Sequence, residues 1–336
     1  MLGIPKIQSP QGKNKLSSIA ILTSGGDAPG MNAAIRAVVR TALANNVKVF
    51  GVYKGYSGLL EGQIFPMTAS SVGNIIQRGG TVLKTDRCEA FFQKSVRREA
   101  AHILTRKGIG GLIVIGGDGS FTGAHLLEKE TGFPCIGVPG TIDNDIAGTD
   151  DTIGFDTAVN TAIEAIDRIR DTASSHDRIF LVEVMGAQSG FIALYTGVGG
   201  GAEIVYVPEA PLTLDQMKKV IERGMKRGKG SSIIVVAEGP KPGLAQDLSK
   251  GLSKSGYRPK VCILGHTQRG GTPSAHDRLL ASALGSAAVG YLLQGKSNAM
   301  VGVQANEVRL IPFSKVIGKK KVLSPNLKDL VQTLSS

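Results

Sequence analysis

The residues most able to do chemistry lie between positions 111 and 145, in the run GLIVIGGDGSFTGAHLLEKETGFPCIGVPGTIDND. The pattern predicts a buried strand, a glycine-rich turn, a helix from about Ser120, a second strand and a second turn. Gly117 and Gly119 let the backbone approach a bulky anion, and the helix would point its free N–H groups at that anion. An aspartate among such glycines repels a phosphate unless a cation lies between them. Asp118 therefore indicates phosphate chemistry with bound Mg²⁺.

A second acidic turn follows the next predicted strand. Asp143 and Asp145 lie two residues apart there, available for a proton or for a second contact to the metal. A purely structural turn with solvated carboxylates is the alternative for the first motif, since short motifs match by chance. The second acidic turn favours the functional interpretation.

The Gly-Gly-Asp triplet also occurs at residues 25–27, between a predicted strand that ends at Leu22 and a helix from about Gly30. A doubly wound sheet places such turns along its carboxyl edge, where they can converge on one ligand. Strand and helix patterns alternate along most of the chain. They predict an α/β fold of two doubly wound, Rossmann-like lobes with mainly parallel sheets flanked by helices.

Individual elements are predicted from periodicity and from glycine turns. Helices are expected at 96–107, 157–173 and 274–294, with a short helix within 70–81 and a Gly-Tyr loop around Gly55 and Tyr56. Strands are expected at 112–115, 179–184 and 300–303. Residues 1–17 lack periodicity and are predicted to be a flexible extension.

Composition limits the possible functions. The chain has 336 residues, enough for two domains, and its formal net charge of +12 would suit polyanionic partners. Nucleic acid is disfavoured because the basic residues are scattered without an aromatic-interleaved stripe. No apolar run approaches the roughly 20 residues of a membrane span, and the three cysteines have no metal-ligand spacing. We therefore expect a soluble, cytoplasmic protein with neither a nucleic-acid nor a membrane partner.

Transfer of a phosphoryl group from a nucleotide needs groups that hold the donor and a metal, screen charge, and take a proton from the acceptor. Arg87, in TDRCEAF, falls on the same predicted sheet edge and could bridge two anionic groups. An acceptor with its own phosphate needs a second basic pocket. Candidates at predicted strand ends are Arg178, Glu238, Lys260, His266 and Arg269.

Taken together and in order, six segments between about residues 18 and 310 closely resemble the ATP-dependent 6-phosphofructokinases of the bacterial type. They are TSGGDAPGMNAAIR, IGGDGS, PGTIDNDI, GTDDTIGFDTA, EVMG and LGHTQRGG. The resemblance implies a glycolytic kinase that phosphorylates fructose 6-phosphate at its 1-hydroxyl with Mg²⁺ and ATP. It also implies a homotetramer whose active sites are shared between subunits.

The same resemblance implies specific roles. Asp143 would be the base, and Asp118 would hold Mg²⁺. Asp145 would be a metal-associated or stabilising carboxylate, and Thr141 would contact the transferring phosphoryl group beside Arg87. The ATP site would use Gly26, Tyr56, Arg87, Cys88, Gly117, Asp118, Gly119, Ser120 and Gly123. The fructose 6-phosphate site would use Thr141, Ile142, Asp143, Met185, Gly186, Ala187, Glu238, His266 and Arg269, with Arg178 and Lys260 from a neighbouring subunit.

The resemblance also predicts where the two lobes lie. Residues 18–153 and 267–316 would form the ATP-binding lobe. Residues 154–266 and 317–336 would form the fructose 6-phosphate-binding lobe.

Two glycines bear on the phosphoryl donor. Pyrophosphate-using relatives carry Asp at the position of Gly119 and Lys at the position of Gly140. A side chain at the first position would fill space that the α-phosphate of ATP needs. Both glycines favour ATP, and a pyrophosphate donor is the nearest alternative.

An allosteric site for ADP or phosphoenolpyruvate is also implied. Its basic pocket would use Arg36, Arg40, Arg170, Glu203, Arg227 and Lys229. Ala69 stands where relatives have a further arginine, which leaves the strength and ligand preference of this site open.

Two departures from the family pattern concern catalysis. Ala187 stands where many relatives have arginine, so Arg87 would carry more of the charge stabilisation. Lys260 stands where an arginine usually contacts the 6-phosphate, and lysine lacks the bidentate fork. A catalytically weak regulatory subunit is therefore a second alternative. A dinucleotide-dependent oxidoreductase is disfavoured because SGGDAPG is not GxGxxG and puts Asp27 where a pyrophosphate would lie.

Overall fold

The computed structural model describes Gly3 and residues 16–174, 178–240 and 242–334. The chain divides into two compact units. The first comprises Met1–Thr141, Ile146–Phe155 and Arg269–Lys321, and the second comprises Ile142–Asp145, Asp156–Gln268 and Val322–Ser336. Most of the predicted N-terminal extension lies outside the described residues. The assignment of one ligand to each lobe stays a prediction.

The strands are, in chain order, β1 (Ser18–Thr23), β2 (Lys48–Val52), β3 (Ile64–Met67), β4 (Leu112–Gly116), β5 (Cys135–Pro139), β6 (Ile179–Val184), β7 (Ile204–Tyr206), β8 (Ser232–Ala237), β9 (Lys260–Ile263), β10 (Ala299–Gln304) and β11 (Glu307–Pro312). The α-helices are α1 (Met31–Ala44), α2 (Gly55–Leu60), α3 (Lys94–Arg106), α4 (Asp118–Thr131), α5 (Phe155–Ser174), α6 (Phe191–Gly199), α7 (Leu214–Lys226), α8 (Leu244–Lys254), α9 (Ala275–Leu293) and α10 (Pro325–Leu334). Short 3₁₀ helices span Ser70–Val72, Glu89–Phe92, Gly265–Arg269 and Phe313–Lys315.

The first unit is built on a seven-stranded sheet in the order β11-β10-β5-β4-β1-β2-β3. Its five central strands run parallel, and the edge strands β3 and β11 are antiparallel to their neighbours. Every residue of β1, β4 and β5 is buried. Such continuous apolar strands suit a parallel sheet that helices cover on both faces. The predicted α/β class is confirmed.

The second unit contains a four-stranded, entirely parallel sheet in the order β7-β8-β6-β9. Its core joins Leu181 and Ile234 of the sheet to Met217 and Ile221 of α7. α7 begins with a capping box in which Thr213 and Gln216 satisfy each other's backbone N–H groups. No helix among the described residues has the length and apolar character needed to cross a bilayer.

Two local predictions are wrong. Residues 55–60 form the helix α2 rather than a loop. Residues 70–81 hold only a 3₁₀ turn followed by irregular backbone instead of a short α-helix. Gly73 is extended and Asn74 has a left-handed φ of 52°, so a helix cannot continue through them.

The edge strands of the first sheet, β3 and β11, were not predicted because their sequence signals are weak. β3 contains Pro66, which only an edge position tolerates. β10 and β11 are joined by Ala305 and Asn306, both with positive φ, as a two-residue hairpin requires. The sequence there lacks the glycine that normally marks such a turn.

Candidate active site

The two Gly-Gly-Asp turns lie side by side in the first unit. They follow β1 and β4, which are paired so that Thr23 lies opposite Ile115. The buried Ser120 joins them, because its Oγ donates a hydrogen bond to the carbonyl of Ser24 at 3.1 Å. A Cβ at Gly116 would lie 2.5 Å from both that Oγ and that carbonyl oxygen. Glycine is therefore required where the turns meet.

Asp118 opens α4 with its carboxylate exposed. Gly117 precedes it as the N-cap and supplies no side-chain cap. The first N–H groups of this helix are therefore left for an anion. A Cβ added at Gly119 would meet no atom within 4 Å, so the space beside Asp118 is open.

The described residues contain no group of three or more His, Cys, Asp or Glu side chains placed to hold a metal ion. Mg²⁺ in kinase sites is often bound by one or two carboxylates, with water and phosphate oxygens as its other ligands. The exposed carboxylate of Asp118, at a helix N-terminus that favours phosphate, fits that mode of binding.

Tyr56 lies beneath the start of α4 and is only 4% exposed. Its hydroxyl donates to the carbonyl of Ser120 at 2.7 Å, and its ring stacks on Phe91 at a centroid distance of 3.9 Å. Burial, with smaller effects of Cys135 and Cys88, raises the pKa of Tyr56 well above its ordinary value. A Cβ at Gly123 would contact both rings at 3.1–3.2 Å. Tyr56 and Gly123 thus pack beneath the turn that precedes α4.

Arg87 and Cys88 lie in the loop before the 3₁₀ helix Glu89–Phe92. Arg87 is exposed, and its backbone N–H donates to the side chain of Asp86 at 2.8 Å. Its guanidinium makes no ion pair with any residue that the structure describes. Cys88 is half-buried and packs against the core of the first unit.

Arg269 lies against the first glycine turn. Its Nη1 donates to the carbonyl of Asp27 at 3.0 Å, and a Cβ at Gly26 would lie only 2.4 Å from the same nitrogen. The guanidinium therefore occupies the space that a side chain at Gly26 would need. Arg269 thus lies beside a turn that is predicted to bind ATP. The family resemblance predicts instead that Arg269 binds the sugar phosphate.

The acidic turn after β5 begins in the first unit and continues in the second. Thr152 fixes its start by donating from Oγ1 to the carbonyl of Thr141 at 2.7 Å. Ile142 is fully buried, and Oδ1 of Asp143 is shielded from water. Asn144 is 1% exposed with a φ of 50°. Sequence reasoning missed Asn144, although Asn tolerates the left-handed region better than most residues.

The loop after β6 carries three of the predicted sugar-phosphate residues. Met185 is buried, and Gly186 has a φ of 142°, where an added Cβ would lie 2.6 Å from the carbonyl oxygen of Ser189. Ala187 is exposed and has a left-handed φ of 51°, which is strained for alanine. Its N–H donates to Oε1 of Glu238 at 3.0 Å. Glu238 therefore supports this loop in addition to its predicted ligand contact.

Three predicted cationic or titratable residues lie at exposed or half-exposed ends of the second sheet. Lys260 begins the edge strand β9 and is exposed, and Arg178 precedes β6 and is half-buried. His266 is exposed in the 3₁₀ helix that follows β9. Each of the three therefore keeps some surface that a ligand could contact.

The second unit brings part of the predicted effector set together. Glu203 accepts from the N–H of Ile233 at 2.7 Å, and Nζ of Lys229 lies 3.5 Å from its other oxygen. Arg170 donates to the carbonyls of Gly200 and Gly201 at 2.6 and 2.8 Å. An effector anion would therefore meet side chains that already have partners.

The other residues considered for the effector site lie on α1, at the end of α7 and before a 3₁₀ turn. Arg36 and Arg40 are one turn apart on α1 in the first unit, with Arg40 the more exposed. Arg227 is the exposed C-cap of α7. Ala69 is exposed as the N-cap of a 3₁₀ turn.

Comparison with known proteins places these turns in a family. Residues 18–292 match the family model described as phosphofructokinase. The ATP-dependent 6-phosphofructokinase 1 of Thermus thermophilus is 52% identical over 321 residues, which cover 95% of this chain and all of that protein. The ATP-dependent 6-phosphofructokinase of Clostridioides difficile is 53% identical over the same shares. The solved phosphofructokinase of Saccharomyces cerevisiae superposes with a TM-score of 0.83 at 38% identity, covering 89% of this chain and 45% of that longer one. The chain therefore belongs to the phosphofructokinase family, and its resemblance to the ATP-dependent members is confirmed.

Proposed function

We propose that the chain transfers the γ-phosphoryl group of ATP to the 1-hydroxyl of fructose 6-phosphate, giving fructose 1,6-bisphosphate and ADP. The observation that carries this proposal is the pair of Gly-Gly-Asp turns on adjacent strands, bridged by Ser120, in a chain of this family. The turns offer backbone N–H groups to phosphates, and Asp118 offers a carboxylate to a metal.

The donor site uses the exposed start of α4. Its N–H groups and the open space at Gly119 accommodate the phosphates of ATP. Asp118 holds Mg²⁺, which neutralises charge on the donor phosphates when bound. Arg87, whose side chain is exposed, is free to screen the charge that develops on the transferring group.

The acidic turn after β5 supplies the group that accepts the proton of the sugar 1-hydroxyl. Asp143 accepts it from the 1-hydroxyl as the general base. Asn144 turns the backbone between Asp143 and Asp145 with a left-handed φ of 50°. Thr141, fixed through Thr152, contacts the transferring group.

A coupled assay on the purified chain tests the activity. We expect fructose 1,6-bisphosphate from fructose 6-phosphate and Mg-ATP, and a loss in kcat of about 10²–10⁴-fold for Asp143→Ser, the usual contribution of a general base. Asp167→Ser, an exposed change on α5, is the matched control. An Asp143→Ser variant with wild-type turnover would show that the base lies elsewhere.

We also propose the assembly and regulation that the family implies. In a homotetramer, Arg178 and Lys260 would complete the sugar-phosphate site of a neighbouring subunit. The basic residues of α1 with Arg170, Glu203, Arg227 and Lys229 would bind ADP or phosphoenolpyruvate. Sedimentation gives the assembly, and titration of activity with each effector gives the regulation. A fully active monomer, or activity indifferent to both effectors, would contradict the respective proposal.

A further inference from the structure

Gln268 is a fully buried glutamine that joins three segments of the second unit. Its Oε1 accepts a hydrogen bond from the N–H of Met185 at 2.8 Å. Its Nε2 donates to the carbonyl of Ala158, on α5, at 3.3 Å. The side chain thereby ties the 3₁₀ helix Gly265–Arg269 to α5 and to the loop after β6.

Glutamine suits this position for a chemical reason. The site offers one backbone donor and one backbone acceptor, and the amide is one side chain that satisfies both. An apolar side chain of similar size would leave the N–H of Met185 without this partner in the interior and would remove the second bond, to the carbonyl of Ala158 on α5. Such buried groups are costly to leave unsatisfied.

The segments joined by Gln268 carry the predicted sugar-phosphate contacts. Met185 is bonded directly, and Gly186 and Ala187 follow it in the same loop. His266 lies two residues before Gln268 with its ring exposed. We propose that Gln268 is a positioning residue that sets the geometry between the Met185 loop and the turn bearing His266, and so tunes affinity for the sugar phosphate. This inference rests on the proposed function.

The same loop also reaches the proposed base. The hydroxyl of Ser189 lies 3.2 Å from the backbone carbonyl of Asp143 and 3.0 Å from that of Gly186. A loop displaced at Met185 would reach the base through this backbone contact, whereas the loop itself carries predicted contacts to the sugar phosphate. Binding of the sugar phosphate should suffer more than the chemical step.

Kinetics of Gln268→Met and Gln268→Glu test the inference, with Gln294→Met as control. Gln294 is an exposed glutamine at the end of α9, so it undergoes the same chemical change on the surface. We expect Gln268→Met to raise KM for fructose 6-phosphate about tenfold, while KM for ATP and kcat stay within about threefold. The control should match the wild type.

The Gln268→Glu variant adds a pH signature. A carboxylate still accepts from Met185 but faces the carbonyl of Ala158, whereas the protonated acid can donate to that carbonyl. The KM of this variant, relative to wild type at each pH, should fall as pH is lowered from about 8 to about 6, because burial raises the pKa of a carboxyl group. The KM of Gln268→Met relative to wild type should not change with pH. If Gln268 acted only through overall stability, the relative KM values of Gln268→Glu and Gln268→Met would not differ in their dependence on pH.

Amide hydrogen exchange gives a second readout on folded protein. Exchange should accelerate at residues 185–189 in Gln268→Met and remain unchanged in the Gln294→Met control. Equal rises in KM for both substrates, or an unchanged KM for fructose 6-phosphate in an otherwise active enzyme, would overturn the role of Gln268. A wild-type chain without activity or binding toward fructose 6-phosphate would instead overturn the proposed function, and this inference with it.

Discussion

At the residue scale, Gly119 and Gly140 differ in the room that the fold leaves for a side chain. A Cβ at Gly119 meets nothing within 4 Å. A Cβ at Gly140 would lie 2.8 Å from Ile115 and 3.2 Å from Met31. The fold would therefore accept a side chain at Gly119, so only the phosphoryl donor limits the residue there. At Gly140, packing against Ile115 and Met31 already requires glycine.

Substitution of Gly119 should separate donor choice from stability. We expect Gly119→Asp to keep the melting temperature within about 3 °C of wild type, since the space is open. Its kcat/KM for ATP should fall about 10²-fold or more, because the added carboxylate repels and displaces the donor phosphates. Gly119→Ala, which adds volume without charge, should lose much less. An unchanged kcat/KM for ATP in Gly119→Asp would show that Gly119 does not line the donor site.

Ala187 combines a strained backbone with an exposed side chain, so it can be changed without repacking a core. We expect Ala187→Arg to raise kcat about tenfold by adding a guanidinium near the transferring group, which is less than the roughly 10²–10³-fold effect of one preorganised donor. Ala187→Gly, the control, should leave kcat unchanged and relieve strain of about 1 kcal/mol. Steady-state kinetics and thermal denaturation distinguish the two effects. No gain in kcat for Ala187→Arg would mean that the position does not face the phosphoryl group.

At the element scale, an ion pair between α3 and α4 supports the loop that carries Arg87. Arg97 donates from Nε and Nη2 to both oxygens of Glu130 at 2.8 and 2.6 Å, and from Nη1 to the carbonyl of Phe91 at 2.7 Å. The arginine side chain is 5% exposed and the glutamate 14%. Phe91 in turn stacks on Tyr56, beneath the start of α4.

Removal of one partner of this pair should destabilise the first unit. The hydrogen bond from Arg97 holds the pKa of Glu130 below its ordinary value. The stabilisation is therefore present above the ordinary glutamate pKa, about 4.3, and is lost as pH falls through the lowered folded-state value. Arg97→Met should cost about 3–5 kcal/mol near pH 7, as breaking a buried pair does. Denaturant titrations at pH 7 and pH 3 check this, and a cost that does not shrink at pH 3 would contradict it.

Much of the element order could be predicted because strong apolar runs end at glycine turns. β1, β4 and β6 appear almost as expected, since each is a continuous buried run. β3 and β11 escaped prediction because edge strands have weak patterns. In the site, single residues such as Asp118 are recognisable from sequence, whereas the contacts of Ser120 and Gln268 join positions 96 and 83 residues apart. Local sequence carries no signal for such contacts.

At the scale of the whole molecule, the exposed Lys260 and the half-buried Arg178 raise the question of which subunit they serve. β9 is an edge strand, and edge strands leave backbone groups available to another chain. In a closed symmetric oligomer, a residue donated to a neighbour is matched by one received in return. The site would then be complete only in the assembly.

Mixed oligomers test this sharing directly. Asp143→Ser removes the base from its own subunit, and Lys260→Ala would remove a phosphate contact from the site of a neighbour. When the two inactive or weak variants are unfolded together and refolded, some sites should contain an intact Asp143 opposite an intact Lys260. Activity should then exceed the sum of the separately refolded variants. Each variant unfolded and refolded alone is the control. Only a site shared between subunits can be restored by mixing whole subunits. The absence of any gain in activity would therefore mean that each subunit forms its site alone.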